Sequence, residues 1–176
     1  MPGKNRRYFL KAKESKVLLA KASERLKTNL ELLFKDKVKV EAFETESAEI
    51  LLINANPVLV KTGENIYPTL RFDEYLQTAP KVVVDMGAVP YVCNGANVMA
   101  PGIRRFEGQF DENDVIIVVD EKHSKPIAIG EILYDDEKVK SVSQGSVVRI
   151  VHYVGDKTWN LIKEIGPSGG KIRHER

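Results

Sequence analysis

A chain of 176 residues with 43% hydrophobic and 30% charged side chains can fold around one substantial core or two small ones, which excludes a disordered or low-complexity protein. Its net charge of +2 is too small to mark a nucleic-acid binder by bulk electrostatics, because phosphate binding needs a local positive surface. No apolar run approaches the roughly 18 residues of a membrane span and the first residues lack a signal-peptide core, so a soluble, cytoplasmic protein with no membrane contact is expected.

The charge is unevenly placed. Residues 1–30 hold nine basic side chains against two acids, Glu14 and Glu24, a bias that fits either a solvated face or a phosphate-facing one. The segment opens with a short strand, RYFLKA. Val17, Leu18, Ala22, Leu26, Leu30 and Leu33 then recur at mostly three- and four-residue steps, which predicts one amphipathic helix whose lysines stay hydrated. Three β-branched stretches follow at 38–43, 48–54 and 57–62, predicting antiparallel strands. Asn54-Ala55-Asn56-Pro57 suits a tight hairpin, since Asn tolerates positive φ and Pro sits at the start of a strand. Tyr67-Pro68-Thr69-Leu70-Arg71-Phe72 reads as a short helix running to Leu76 with Pro68 in its first turn.

From Lys81 the pattern changes to short, regularly spaced strands, as in a small barrel or sandwich. Strands are expected at 82–85, 115–120, 127–134, 147–153 and 158–162, with short helices at 88–95 and 135–142. The end, residues 166–176, carries almost no apolar side chains and is expected to be a flexible tail. The expected division is 1–76, 77–165 and that tail.

The segment from Asp85 to Ile103 is dense in Gly, small residues and Pro. Gly87, Gly95 and Gly102 could take positive φ and let another backbone or a ligand approach closely. A helix starting near Ala88 would aim its free N–H groups back toward Asp85 and Gly87, a geometry suited to an anion. No mononucleotide or dinucleotide loop is present, which argues against NTP or NAD chemistry. The lone Cys93 excludes an internal disulfide and a multi-cysteine zinc cluster, and neither His123 nor His174 has metal-ligand spacing. No cofactor, no metal and no catalytic residue is expected.

Four stretches carry a resemblance to a known family. Val84-Asp85-x-Gly87-Ala88-Val89, Gly95-Ala96-Asn97-Val98-Met99-x-Pro101-Gly102-Ile103, Ala128-x-Gly130 and His152-Tyr-x-Gly155-Asp156-x-x-Trp159 resemble the successive signatures of PUA domains. Upstream, Tyr67-Pro68-Thr69-Leu70-Arg71 and the basic segment before it resemble the pre-PUA plus PUA arrangement of the malignant-T-cell-amplified sequence and ligatin family. The chain departs from the usual pattern at Phe110–Asp114 and at Tyr134-Asp-Asp-Glu, both more acidic. The resemblance implies an α+β protein in which a small pre-PUA-like α+β domain precedes a PUA pseudo-β-barrel, the whole resembling an archaeal relative.

It also implies a noncatalytic protein that binds structured RNA, tRNA or rRNA, and works in translation on the small ribosomal subunit, with a density-regulated-protein-like partner by family analogy. Alternatives are an RNA-guiding accessory subunit of a transglycosylase or pseudouridine synthase, and a protein-interaction adaptor. The implied RNA face comprises Tyr91, Asn94, Asn97, Met99, Arg104 and Arg105, with Arg149 and His152. Arg104 and Arg105 could hold phosphate bidentately or stand as a solvated pair. Tyr91 either stacks on a base or packs on the barrel, Met99 and the Cys93 thiol suit a core, and His152 could equally hydrogen-bond internally. Gly87, Gly95 and Gly102 are expected to form the fold. Asp85 and Asp156 are expected to accept backbone N–H bonds at strand ends, and Trp159 to line the barrel.

Overall fold

An antiparallel five-stranded sheet organises the first part of the chain in the computed structural model, which describes residues 5–34 and 37–166. Its strands are β1 (Arg6–Phe9), β2 (Val40–Glu44), β3 (Glu49–Ile53), β4 (Asn56–Thr62) and β5 (Asn65–Pro68), hydrogen-bonded in that order. The three expected strands appear as β2, β3 and β4. The hairpin between β3 and β4 pairs Ile53 with Asn56, leaving a two-residue turn in which Asn54 and Ala55 have φ of 50° and 72°. Two left-handed residues in a row match the twist of the flanking strands. Asn carries this readily; Ala55 does so against its Cβ.

Two readings of this part need correction. Pro68 does not begin a helix. It closes β5 opposite Leu59, on an edge strand where a missing N–H costs no ladder bond. The buried Thr69 then donates its hydroxyl to the Pro57 carbonyl at 2.7 Å, and the short helix α3 starts only at Asp73 (Asp73–Leu76). The single helix expected across Val17–Leu33 is two: α1 (Ala12–Leu26) and α2 (Leu30–Leu33). Lys27 turns left-handed at φ 53° and ends α1. The Asn29 side chain then accepts the Glu31 N–H at 3.1 Å, and the Ser23 hydroxyl accepts that of Leu30 at 3.0 Å. Short polar side chains competing for backbone groups are what break the periodicity here. Leu18, Leu19, Ala22, Leu26 and Leu30 are buried as the stripe requires, but Val17 is 52% exposed.

The second sheet has six strands: β6 (Lys81–Val84), β7 (Val98–Met99), β8 (Ile103–Glu107), β9 (Val115–Asp120), β10 (Pro126–Ile132) and β11 (Ser146–Tyr153). Their spatial order is β7-β11-β10-β9-β6-β8, all antiparallel except β6 beside β9. The two outermost strands, β7 and β8, are consecutive in sequence and separated only by the 3-10 turn Ala100–Gly102. Three residues cannot span an open six-stranded sheet, so the sheet curls until its edges nearly meet, forming the pseudo-barrel. Inside lie Val82, Val84, Ile116, Val118, Ala128, Ile132 and Val148, all fully buried, the valines and isoleucines each contributing roughly 1.5–3 kcal/mol of apolar burial. The curl depends on a close crossing at Gly130, where any Cβ would collide with Val148 and the Arg149 carbonyl.

The expected strand at 158–162 is instead a helix, α5 (Lys157–Ile165). Asp156 accepts the Trp159 N–H at 2.7 Å, an N-cap that outweighs the β-propensity of the Thr-Trp pair. Ile162 and Ile165 give its buried face, and Trp159 is only half-buried. The helix expected at 88–95 is the short α4 (Val89–Val92), and that at 135–142 is a 3-10 turn, Lys138–Ser141. Contacts divide the chain into two units, residues up to Phe72 with those from Asn160 on, and Asp73–Trp159. Of the tail expected at 166–176, residues 167–176 lie outside the described residues. No helix among the described residues is long and apolar enough to cross a membrane.

Replacing Ala55 with Gly removes the Cβ penalty at φ 72° while adding chain entropy to the unfolded state. The first effect is the larger, so the variant should gain about 0.5–1 kcal/mol in denaturant unfolding.

Candidate nucleic-acid interface

The segment from Asp85 to Ile103 joins β6 to β8 across the seam of the curled sheet. Its start is fastened by the Asp85 N–H to the Gly102 carbonyl at 2.9 Å. The Asp85 carboxylate accepts the Ala88 N–H at 2.8 Å, so the helix start that looked ready for an external anion already holds an internal one, on a helix of four residues. Only Gly95 of the three glycines has positive φ, at 92°. It ends α4, and a Cβ there would press on the Tyr153 ring at 3.2 Å. Gly102 lies against Ala88, where a Cβ would stand 3.2 Å from the alanine methyl. Gly87 has ordinary backbone and exposed surroundings.

Val92 anchors this segment in the barrel core, and Cys93 is half-buried beside it, with burial pushing its thiol pKa up. Three other side chains face outward instead. Met86, Tyr91 and Met99 are 41%, 70% and 49% exposed, half of the six large apolar side chains that stand exposed among the described residues. Such a concentration within fourteen residues is a surface that costs hydration free energy unless something covers it. Met86 carries no signal in the sequence, where it follows Val82–Val84 and Asp85 as one more apolar residue.

Asn94 and Asn97 are also exposed. The Asn97 Oδ1 accepts the Ile150 N–H at 3.2 Å, so this side chain extends the β7–β11 ladder where backbone pairing stops. Met99 faces Ser146, whose hydroxyl lies 3.4 Å from the thioether sulfur. Asn97 and Met99 therefore border β11, the strand that also carries Arg149.

The arginines share a different logic. Val84 pairs with Ile103 and Val83 with Arg105, so Arg104 is an unmatched residue on β8. Strict alternation would send adjacent side chains to opposite faces; the bulge lets both remain exposed, at 60% and 54%. Each has a carboxylate neighbour. Arg104 donates to Glu121 at 2.9 Å, which raises its pKa further, and Arg105 lies 3.2 Å from Glu107. Arg149 is ion-paired with Glu131 across β10 and β11. An incoming phosphate competes with these acids, and the two pairs of Arg104 and Arg105 are exposed enough for water to weaken them.

His152 belongs elsewhere. Ile129 pairs with His152 and Gly130 with Ile150, leaving Val151 unmatched on β11. That bulge reverses the alternation: Ile150 and Tyr153 pack on the barrel core, while His152 turns away and is only 1% exposed. Its Nδ1 is 2.9 Å from the Asp156 carboxylate, which also accepts the Tyr153 and Trp159 N–H groups at 3.0 and 2.7 Å. The His-Tyr-x-Gly-Asp-x-x-Trp motif is thus a buried histidine joined to a helix cap, and its imidazole does not reach the surface. Asp120 plays a similar part in the turn after β9, accepting the His123 and Lys125 N–H groups, which lower its pKa.

A model of the PUA domain matches residues 80–154, and one of a domain of unknown function, DUF1947, matches residues 6–74. The uncharacterized protein MJ1432 of Methanocaldococcus jannaschii is 39% identical over 159 residues, 89% of this chain and 96% of its own length. Translation machinery-associated protein 20 of Eremothecium gossypii is 31% identical over 124 residues, 66% of this chain and 68% of that one. Malignant T-cell-amplified sequence 1 of Danio rerio is 29% identical over 132 residues, 72% of each. Among solved structures, a PUA domain protein from Aeropyrum pernix K1 in a tartrate complex superposes with a TM-score of 0.82 at 27% identity, covering 93% of this chain and 94% of that one.

Burial opposes ionisation of Asp156, but the His152 hydrogen bond and charge, with the Trp159 and Tyr153 amides, more than offset it and lower its pKa. A depressed folded-state pKa contributes stability that is present above the unfolded value of about 3.9 and is lost as pH falls through the folded one. Asp156→Asn keeps a cap but removes the charge. It should cost about 1–2 kcal/mol near neutral pH, and the gap from the parent should close as urea unfolding is repeated below about pH 4.

Proposed function

Because the chain belongs to the family that joins a DUF1947 domain to a PUA domain, an RNA-binding module, and that includes translation machinery-associated protein 20, we propose that it is a noncatalytic, cytoplasmic translation factor. It binds structured RNA, a tRNA or ribosomal RNA, in the context of the small ribosomal subunit. The observation that carries this reading is the surface around the β7–β8 turn. Three exposed apolar side chains, Met86, Tyr91 and Met99, stand on the segment between β6 and β8, with Arg104 and Arg105 just past it.

The chemistry fits unpaired or terminal nucleotides better than a duplex. Apolar and aromatic side chains contribute by lying against bases or riboses, which a continuous helix hides. Tyr91 supplies the one π-face of the segment, and Asn94 offers an amide to base edges. Asn97 is already committed in part to β11, so its Ala variant should lose stability as well as binding. Arg104 and Arg105 take phosphate, exchanging Glu121 and Glu107 for a more highly charged partner. Their pairing with acids keeps the free surface nearly neutral, which limits non-specific attraction to any polyanion.

Arg104→Ala with Arg105→Ala should weaken tRNA binding roughly tenfold and reduce the slope of log affinity against log salt by about 1–2; an unchanged slope removes both from the interface. The parent chain should co-sediment with small ribosomal subunits at low salt, and failure to bind either subunits or tRNA ends the translation-factor reading.

A further inference from the structure

The basic first unit contains a groove that RNA contact by the second does not use. It is an open trough of about 670 Å³, bounded by β1 and the start of α1 on one side and by α2 and β2 on the other. A second trough of about 510 Å³ shares Lys16, Leu19 and Glu31 with it and reaches Asn29. The smaller trough adds Lys27 and one further acid, Glu24, among the described residues.

The lining is two-natured. Phe9, 66% exposed on the edge strand, lies with the half-buried Leu10 and Val38 over a floor that the buried Leu19 completes, and Lys16, Lys37 and Lys39 stand exposed around it. Glu31 is the one acid lining the larger trough among the described residues. Among the described residues none of these three lysines has a carboxylate within ion-pair distance, in contrast to the arginines of the second unit. Unspent ammonium groups around an exposed apolar floor call for an occupant that is both apolar and anionic.

We infer that this groove docks an acidic, amphipathic segment of a partner protein, whose apolar side chains cover Phe9, Leu10 and Val38 while its carboxylates meet Lys16, Lys37 and Lys39. A nucleic-acid strand would satisfy the lysines but leave the aliphatic floor against phosphate and sugar, since only Phe9 among the floor residues can stack a base. The chain's own last residues have the wrong sign: after Gly166, Lys171, Arg173 and Arg176 outnumber Glu175. Charge complementarity thus selects a foreign acidic segment. The inference does not rest on the RNA reading and can fail separately from it.

The test is selection of a random peptide display library against the full-length chain, followed by binding of fluorescent copies of the enriched peptides. Enriched peptides should carry net negative charge with spaced apolar anchors. Their affinity should fall roughly tenfold in Phe9→Ser and in the double variant Lys16→Glu with Lys39→Glu, and survive Lys16→Arg with Lys39→Arg. All of these positions are exposed, and circular dichroism checks that each variant is folded. Absence of enrichment, enriched peptides lacking negative charge, or affinity indifferent to the variants would overturn the proposal. So would a single-stranded RNA oligonucleotide that displaces the peptides and loses its own binding in the same variants.

Discussion

The three-residue connection between β7 and β8 constrains much of the second unit. Because the outermost strands are neighbours in sequence, the sheet has to curl, and curling requires tight crossings and changes of side-chain direction. Gly130 supplies the crossing. The bulges at Arg104 and Val151 supply the changes of direction, one keeping two guanidiniums at the surface and the other turning a histidine off the barrel core toward Asp156. The seam also leaves the 85–103 segment with only one side to pack, anchored by Val92 and Val98. Its Met86, Tyr91 and Met99 remain outside as a direct result.

The same constraint explains what the sequence revealed and what it hid. Strands β9 and β11 could be read from runs of Val and Ile because burial on a sheet demands β-branched side chains whatever the closure. The PUA signatures were legible for a related reason, since their glycines and Asp156 mark places where the backbone must approach or be capped. Strand β7 was not visible: two residues completed by the Asn97 side chain carry no periodicity. The helix α5 was missed because Asp156 was read as ending a strand, and its identity as a cap depends on His152 and the Tyr153 N–H arriving from β11. For the candidate interface, Tyr91, Asn94 and the two arginines were named from resemblance, and the structure adds Met86. His152 lies buried against Asp156 and not at the surface; the bulge that turns it off the barrel core was hidden because one strand's sequence does not announce its partner's register.

Charge is used differently in the two units. Around the seam every arginine of the candidate interface has an acid partner, so positive charge there is conditional on what displaces the carboxylates. Lys16, Lys37 and Lys39 in the first unit have none among the described residues, and they border apolar surface. A chain with net charge +2 in this way carries basic side chains in two chemically distinct settings, paired with acids near Tyr91 and the two methionines and unpaired beside Phe9. Bulk charge would have separated neither.

The account stands on the seam surface being where RNA lies. Ultraviolet crosslinking of the full-length chain to structured RNA, with the linked peptides identified by mass spectrometry, addresses that placement directly. The account predicts crosslinks within the segment carrying Met86, Tyr91 and Met99 and in β8 at Arg104 and Arg105, and none at the buried His152. Crosslinks confined to the first unit, with the 85–105 region untouched, would contradict it.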